Sequence, residues 1–414
     1  MTEAVSKTKS KRGIISSLLV LASVVLLVAI YYSPVWWVAL TAPNYPKEAF
    51  PDGVRINFHM NGVFNGCKKV NKAELQESEA LDCVHEMDTI NHYVGMYPIA
   101  AGGVIERAFS PFLVSFLAVM LLGFMCTRPK LRLAIVAIGF SAIAVWMSMA
   151  WWGKDGLNYQ NAGYIYALVT SMDQDTEKEG GSIALADVRK AGTKSLKKLK
   201  NSLAGKEIED DDENESATTA SASTEKPKAN SPKLENIAHL RSIFDADQAK
   251  HSEAERQKWN GSLRQMMSWH YQKNLGRYFN NPAEIKPMVK TMGMVADIVY
   301  FGIIAAMLLL IYGVWKGIKP LYWLMVFVPM ALPLFFVIEY SGWLYWYGHT
   351  LNQMGAFTVK PFMPTVFGLG KVAQFTTHSY PAIGFFMMLV MSVMLALAAL
   401  IRRKYLKENA KEND

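Results

Sequence analysis

Sulfur and imidazole side chains are concentrated in one short stretch of the chain, between residues 59 and 96. Thiolate, thioether and imidazole groups are ligands that favour copper, particularly Cu(I). The run from Cys83 to Met87 would place its alternate side chains on one face of an extended strand. His92 and Met96 would share a face where the chain is helical. This spacing predicts a copper site with the candidate ligands His85, Met87, His92 and Met96.

Two structural interpretations compete with the copper site. A disulfide between Cys67 and Cys83 would remove both sulfur atoms as ligands, and an oxidising compartment permits such a bond. Methionine occurs 23 times in the chain, so the thioethers are equally compatible with ordinary packing. The third cysteine, Cys126, lies near the end of an apolar run and is expected to be an inert apolar filler.

Other redox and catalytic chemistries lack a signature in the sequence. All eight histidines fall outside the apolar runs, whereas a haem buried in a bilayer needs imidazole ligands at membrane depth. The chain has no Cys-x-x-Cys-His run for covalent haem and no cysteine pattern for an iron–sulfur cluster. It also has no glycine-rich phosphate loop. We therefore expect an accessory protein rather than an enzyme.

Six apolar runs separate the polar segments that carry these residues. A helix needs about 20 mainly apolar residues to cross a bilayer. The runs that meet this length lie at roughly 13–33, 109–126, 131–152, 295–315, 320–345 and 382–401. They predict an all-α integral membrane protein with six transmembrane helices.

Short basic clusters orient these helices. Lysine and arginine concentrate on the cytoplasmic side of spanning helices. The clusters lie at 7–12, 128–132, 316–319 and 402–404, and all agree with both termini in the cytoplasm of a bacterial inner membrane. The net charge of +8 largely reflects these signals and a polar loop, so no nucleic-acid partner is expected beside the lipid bilayer.

The orientation leaves three outer segments, which we expect to assemble into a periplasmic cap. Residues 173–258 form a polar, partly disordered insert in the second segment, with a candidate amphipathic helix at 183–203. The aromatic stretch 259–279 is expected to lie on the membrane or to dock against other outer loops. The third segment is apolar and rich in proline, and is expected to pack on the first or to dip into the membrane edge. The predicted divisions are 1–33, 34–108, 109–152, 153–294, 295–345, 346–381 and 382–414.

Two acidic residues lie nearest the predicted bilayer interior, Asp297 and Glu339. Ionisable groups at this depth are costly and usually face a cavity or a partner. Pro329 and Pro333 precede Glu339 and are expected to kink the fifth span, which can open such a cavity. Glu339 could equally reach the membrane interface.

Four short motifs resemble a known family. Asn91–Met96, with the sequence Asn-His-Tyr-Val-Gly-Met, is similar to a signature of NosB-type polytopic membrane proteins, which are encoded in clade II nitrous oxide reductase gene clusters. Residues 42–46, 361–368 and 373–375 resemble further segments of that group. The polar insert has no counterpart in it. The resemblance implies a role in making a periplasmic copper enzyme, supplying it with metal or feeding it electrons, and it implies no catalytic activity.

These observations lead to one principal expectation and two alternatives. The first is an inner-membrane accessory protein for a copper-dependent respiratory reductase of nitrous oxide respiration, with copper as possible cofactor and the copper enzyme or its maturation factors as partner. The second is a transporter or permease subunit that uses Glu339 and the kinked fifth span. The third is a membrane-anchored interaction scaffold, in which the polar insert recruits partners.

Overall fold

The computed structural model describes residues 2–43, 45–68, 81–179, 232–357, 359–372 and 374–413. The candidate helix at 183–203 and most of the polar insert lie outside these residues. Within the described part the helices are α1 (Thr2–Tyr32), α2 (Cys83–Tyr93), α3 (Val104–Met125), α4 (Pro129–Trp151), α5 (Ala162–Glu179), α6 (Pro232–Ala249), α7 (Leu263–Gly276), α8 (Pro282–Lys316), α9 (Lys319–Met330), α10 (Leu332–His349) and α11 (Ile383–Asn413). The strands are β1 (Trp36–Thr41), β2 (Val54–His59), β3 (Gly62–Asn65), β4 (Gly368–Val372) and β5 (Phe375–Pro381).

Five of these helices are long and apolar enough to cross a membrane: α1, α3, α4, α8 and α11. Taken together, α9 and α10 are also long and apolar enough, but the pair is bent by 61° at its break, as in a broken span or a re-entrant loop. The break falls at Ala331, between Pro329 and Pro333. Proline lacks an amide hydrogen and its ring clashes with the preceding turn, which accounts for a sharp bend at this position. The prediction of a kinked fifth span agrees with this bend, and the structure gives the predicted six spans when the bent pair is counted as one.

The basic clusters predicted to mark one side of the membrane meet at one end of the helix bundle. Arg402 donates hydrogen bonds to the hydroxyl of Tyr322 at 3.0 Å and to the carbonyl oxygen of Cys126 at 3.3 Å. Arg132 donates to the same carbonyl oxygen at 2.8 Å and lies over the Tyr322 ring. Arg12 pairs with Glu408 near the termini of α1 and α11. The sheet and helices α2, α5, α6 and α7 form a cap at the opposite end.

A five-stranded antiparallel sheet forms the centre of the cap, in the order β3-β2-β1-β5-β4. The all-α part of the predicted fold class is therefore wrong. Strand β1 follows α1 after Pro34 and pairs with β5, so that Val38 lies opposite Ser379. Such a pairing joins residues more than 300 positions apart, and a local pattern of apolar residues cannot reveal it. The same pairing confirms that the third outer segment packs on the first.

One face of the sheet carries the apolar core of the cap. Val54, Ile56 and Trp36 on this face pack with Cys83 and Met87 of α2. The Trp36 ring also contacts Phe336 and Tyr340 of α10 and Phe385 of α11. The cap core therefore continues directly into the membrane helices. In the second outer segment, α7 buries Met266, Met267, Trp269 and Tyr271 and so docks against its neighbours.

Candidate functional site

Helix α2 carries most of the predicted copper ligands, and its start is determined by an N-terminal cap. The side chain of Asp82 accepts hydrogen bonds from the backbone amides of Val84 at 3.0 Å and His85 at 3.1 Å. Such a cap satisfies amides that have no partner within the helix and stabilises it by about 1 kcal/mol. Residues 83–87 are therefore helical, and the extended strand proposed for them is wrong. A disulfide joins Cys83 to Cys67, with the two Cα atoms 6.0 Å apart, and ties the start of α2 to the chain that follows β3.

The helix distributes the four candidate ligands over two sides. His85 and His92 are seven residues apart, which is about two turns, so they share a face. Met87 is rotated by roughly 200° from His85 and faces the cap core. Nδ1 of His92 donates to the carbonyl oxygen of Thr89 at 2.5 Å, and the His92 ring stacks on Tyr278 at 4.4 Å between centroids. Over the described ranges, no group of three or more His, Cys, Asp and Glu side chains is placed to hold a metal ion.

Met87 and Met96 instead meet at a cavity of about 420 Å³ inside the cap. The cavity lies between α2, the sheet and the proline-rich third segment. Both methionines are almost fully buried. The lining is mainly apolar and aromatic, with Glu86, Asn91 and Gln374 among its polar side chains. We call this space the cap cavity.

A tyrosine and a carboxylate interact at the edge of the cap cavity. The hydroxyl of Tyr45 donates a hydrogen bond to Glu86 Oε1. Burial raises the pKa of Tyr45 far above its usual value, and the hydrogen bond and negative charge of Glu86 raise it further. Tyr45 therefore remains a neutral donor at any physiological pH.

The cap cavity brings together segments that are far apart in the sequence. Tyr45 comes from the motif at 42–46, and Asn91, Tyr93, Val94 and Met96 come from the motif at 91–96. Phe362, Pro364, Thr365, Gln374 and Phe375 come from the motifs at 361–368 and 373–375. Each motif that carries the family resemblance thus contributes to one lining. Sequence reasoning emphasised the sulfur atoms and missed the cavity, although the unusually apolar third segment was a signal for it.

Gly95 allows the third segment to close over the cap cavity. Its φ is +82°, a left-handed conformation that favours glycine. A Cβ atom at this position would lie 2.5 Å from the carbonyl oxygen of Asn352. Backbone hydrogen bonds then join Asn352 to Gly95 at 2.8 Å and Phe357 to Tyr93 at 2.9 Å. The motif at 91–96 therefore positions the backbone as well as side chains.

A buried polar network supports α2 from the side of α7. Asp88 Oδ1 accepts a hydrogen bond from the Ile99 amide at 2.7 Å, and Oδ2 lies 3.8 Å from Nη1 of Arg277. Burial raises the pKa of Asp88 to about 7, although Arg277 and the backbone amides lower it in part. Burial, with the nearby charges of Arg107 and Arg277, lowers the pKa of His270 well below its usual value, so its ring is neutral.

A second cavity, of about 270 Å³, lies between the cap and the helix bundle, where α10 diverges from α3. We call it the boundary cavity. Glu106 of α3 and Glu339 of α10 both line it, as do Arg107 and Trp343. Nε1 of Trp343 donates to Glu106 Oε1 at 3.4 Å. The predicted intramembrane acid Glu339 therefore faces a cavity, together with a second acid that sequence reasoning did not select.

Asp297, the other predicted intramembrane acid, has a different environment. It forms an ion pair with Arg264 at 2.8 Å and accepts a hydrogen bond from Nε1 of Trp151 at 3.2 Å. The ion pair raises the pKa of Arg264 further above its ordinary value. Asp297 thus joins α8 to α7 and α4 at the cap end of the bundle.

The fold and the two cavities define a multi-pass α-helical membrane protein with a mixed α/β cap. No protein-family model, curated protein or solved structure matches this chain. Its function is therefore inferred from its own residues.

Proposed function

We propose that the protein is an inner-membrane accessory protein that supports a periplasmic copper-dependent reductase of nitrous oxide respiration, and that it acts through the cap cavity. The observation that carries this proposal is the convergence of the four motifs on one cavity lining. Residues that serve only as a packed core fill their space with apolar side chains. The residues of this lining instead enclose empty space and include polar groups. Concave, mainly apolar spaces with a few polar groups are typical of binding sites.

The geometry divides the predicted copper ligands. Met87 and Met96 line the cap cavity, so their thioethers are the candidates for Cu(I) there. His85 and His92 lie on another face of α2, and His92 is stacked on Tyr278. Copper handling at the cavity would therefore depend first on these two methionines.

The experiment replaces Met96 by Leu in a strain whose own copy of the gene is deleted. Leucine has a similar volume, so the fold should survive at a cost below about 1.5 kcal/mol. The matched control is Met354→Leu, because Met354 is 72% exposed and belongs to the third segment. Nitrous oxide consumption, the copper content of the purified reductase and its activity with an artificial electron donor are measured.

The three readouts separate the possible roles. We expect Met96→Leu, but not Met354→Leu, to give a copper-deficient reductase and reduced consumption of nitrous oxide. A copper-replete reductase that works only with the artificial donor would assign the protein to electron delivery instead. Normal consumption in the deletion strain itself would contradict the proposed function.

A further inference from the structure

The boundary cavity has a physical origin in the broken span. The 61° bend between α9 and α10 carries α10 away from a straight path, and space remains between α10, α3 and the β2–β3 hairpin. The lining toward the bilayer includes Leu113, Leu332 and Phe335, and Phe335 is 52% exposed. The apolar end of the cavity therefore reaches the exposed side of the apolar helix bundle.

The other end of the boundary cavity presents hydrogen-bond acceptors. Glu106 Oε2 is buried and has no hydrogen-bond partner among the described residues. Glu339 adds a second carboxylate to the same lining. The guanidinium of Arg107 directs two of its five N–H groups away from these carboxylates, to the carbonyl oxygens of Ala100 at 2.7 Å and Gly103 at 3.2 Å. An acceptor left unpaired in a buried site costs free energy, so this end suits a ligand that donates hydrogen bonds.

Aromatic side chains form the wall between these two ends. The rings of Phe336 and Tyr340 are nearly parallel, with 6° between their planes and 5.9 Å between centroids. Trp343 follows one turn further along α10 and directs its indole N–H group toward Glu106. Aromatic rings pack favourably against a further flat ring in offset or edge-to-face contact.

We propose that the boundary cavity binds the head of a membrane-soluble quinol, an aromatic diol with an apolar tail. Its hydroxyl groups donate to Glu106 and Glu339, its ring packs on Phe336 and Trp343, and its tail leaves toward the bilayer past Phe335. A lipid acyl chain would fill the apolar end and leave the acceptors unpaired. This proposal concerns binding alone, and it does not depend on the role assigned to the cap cavity.

The test measures equilibrium binding to the full-length protein in lipid nanodiscs, with empty nanodiscs as the background. The probe is an alkyl-hydroquinone kept reduced under anaerobic conditions. Its oxidised quinone and its dimethyl ether have the same ring and tail but lack hydrogen-bond donors. We expect saturable binding of the hydroquinone at least about tenfold tighter than that of either analogue, because hydrogen bonds to charged groups contribute at least that much.

Three variants locate the bound molecule. Glu106→Gln should weaken hydroquinone binding by about tenfold or more while changing the affinity for the dimethyl ether little. Leu113→Trp should obstruct the apolar end and weaken binding of all three compounds. Glu255→Gln is the control, because Glu255 is an exposed carboxylate paired with Lys286 on the surface.

The opposite results would overturn the proposal. Equal affinities for the hydroquinone, the quinone and the ether would indicate partition of an apolar molecule. Unchanged hydroquinone binding in Glu106→Gln, with an unaltered melting temperature, would exclude the carboxylate as its acceptor. Absence of hydroquinone binding together with saturable binding of Na⁺ or K⁺ that is lost in Glu339→Gln would favour the transporter alternative.

Discussion

The stability of the cap should depend on the protonation of one buried carboxyl group, that of Asp88. The side chains of Asp88 and Arg277 are each only 1% exposed, and their nearest charged atoms are 3.8 Å apart. Burial raises the pKa of Asp88 from 3.8 to about 7, against the opposing effect of Arg277. The folded protein therefore retains a proton on Asp88 over a pH range in which the unfolded chain has released it.

The sign of the pH dependence follows from this difference. Between about pH 4 and pH 7 the folded state binds more protons at this site than the unfolded state, so the stabilisation is present at low pH and is lost as pH rises. Each pH unit in this range changes the free energy of unfolding by up to about 1.4 kcal/mol. Over the whole range the loss is on the order of 4 kcal/mol.

Asp88→Asn tests this reasoning, because asparagine resembles the protonated acid in shape and keeps an oxygen to accept from the Ile99 amide. Thermal unfolding of the purified protein would be followed by intrinsic tryptophan fluorescence at several values between about pH 5 and pH 8. We expect the wild type to lose stability relative to the variant as pH rises. Asp52→Asn, at an exposed carboxylate near Lys68, is the control that should follow the wild type.

Two results would refute this account of Asp88. Parallel pH profiles for the wild type and Asp88→Asn would mean that Asp88 has the same charge in both states. A loss of about 3–5 kcal/mol in the variant at every pH would instead indicate a charged pair with Arg277, since removing one partner of a buried ion pair costs about that much.

Two further predictions concern how the cap is held together. Replacing Cys67 and Cys83 together by Ser opens a loop with a sequence separation of 16, and should lower the free energy of unfolding by about 3 kcal/mol; a melting temperature that neither this change nor a reductant alters would contradict it. Gly95→Ala should destabilise the cap by more than the roughly 1–2 kcal/mol of a left-handed alanine, because the new Cβ meets Asn352. Gly317→Ala is the matched control, since Gly317 also has a positive φ but no atom within 4 Å of the added Cβ, and equal losses in chemical denaturation would exclude the clash.

The sequence predicted the membrane-spanning part of the fold because that part is governed by local rules. Each apolar run is long enough to indicate a span by itself. The prolines flanking Ala331 bend the chain through their effect on the adjacent helical turns. The packing of the third outer segment was also predictable, because exposed aromatic residues in a proline-rich loop need a partner surface.

The cap was less predictable because its structure depends on distant partners. Trp36 and Trp37 directly follow the first apolar run, but they belong to strand β1, whose neighbour β5 lies near the other end of the chain. The helical state of residues 83–87 depends on the single cap residue Asp82, which outweighs an alternating pattern of only five residues. The sequence could not show that Glu106 and Glu339 line the same cavity, because this depends on how α3 and α10 lie relative to each other.

The two cavities have a physical relation that neither motif nor topology suggests. Phe58, Ile99, Tyr340 and Leu344 line both of them, so a single layer of side chains separates the cap cavity from the boundary cavity. Packed interiors transmit displacements because they contain little free volume. A ligand that moves Tyr340 or Leu344 from the membrane side would therefore move atoms that line the cap cavity. This shared wall connects the cap directly to the apolar helix bundle through the bent pair α9 and α10.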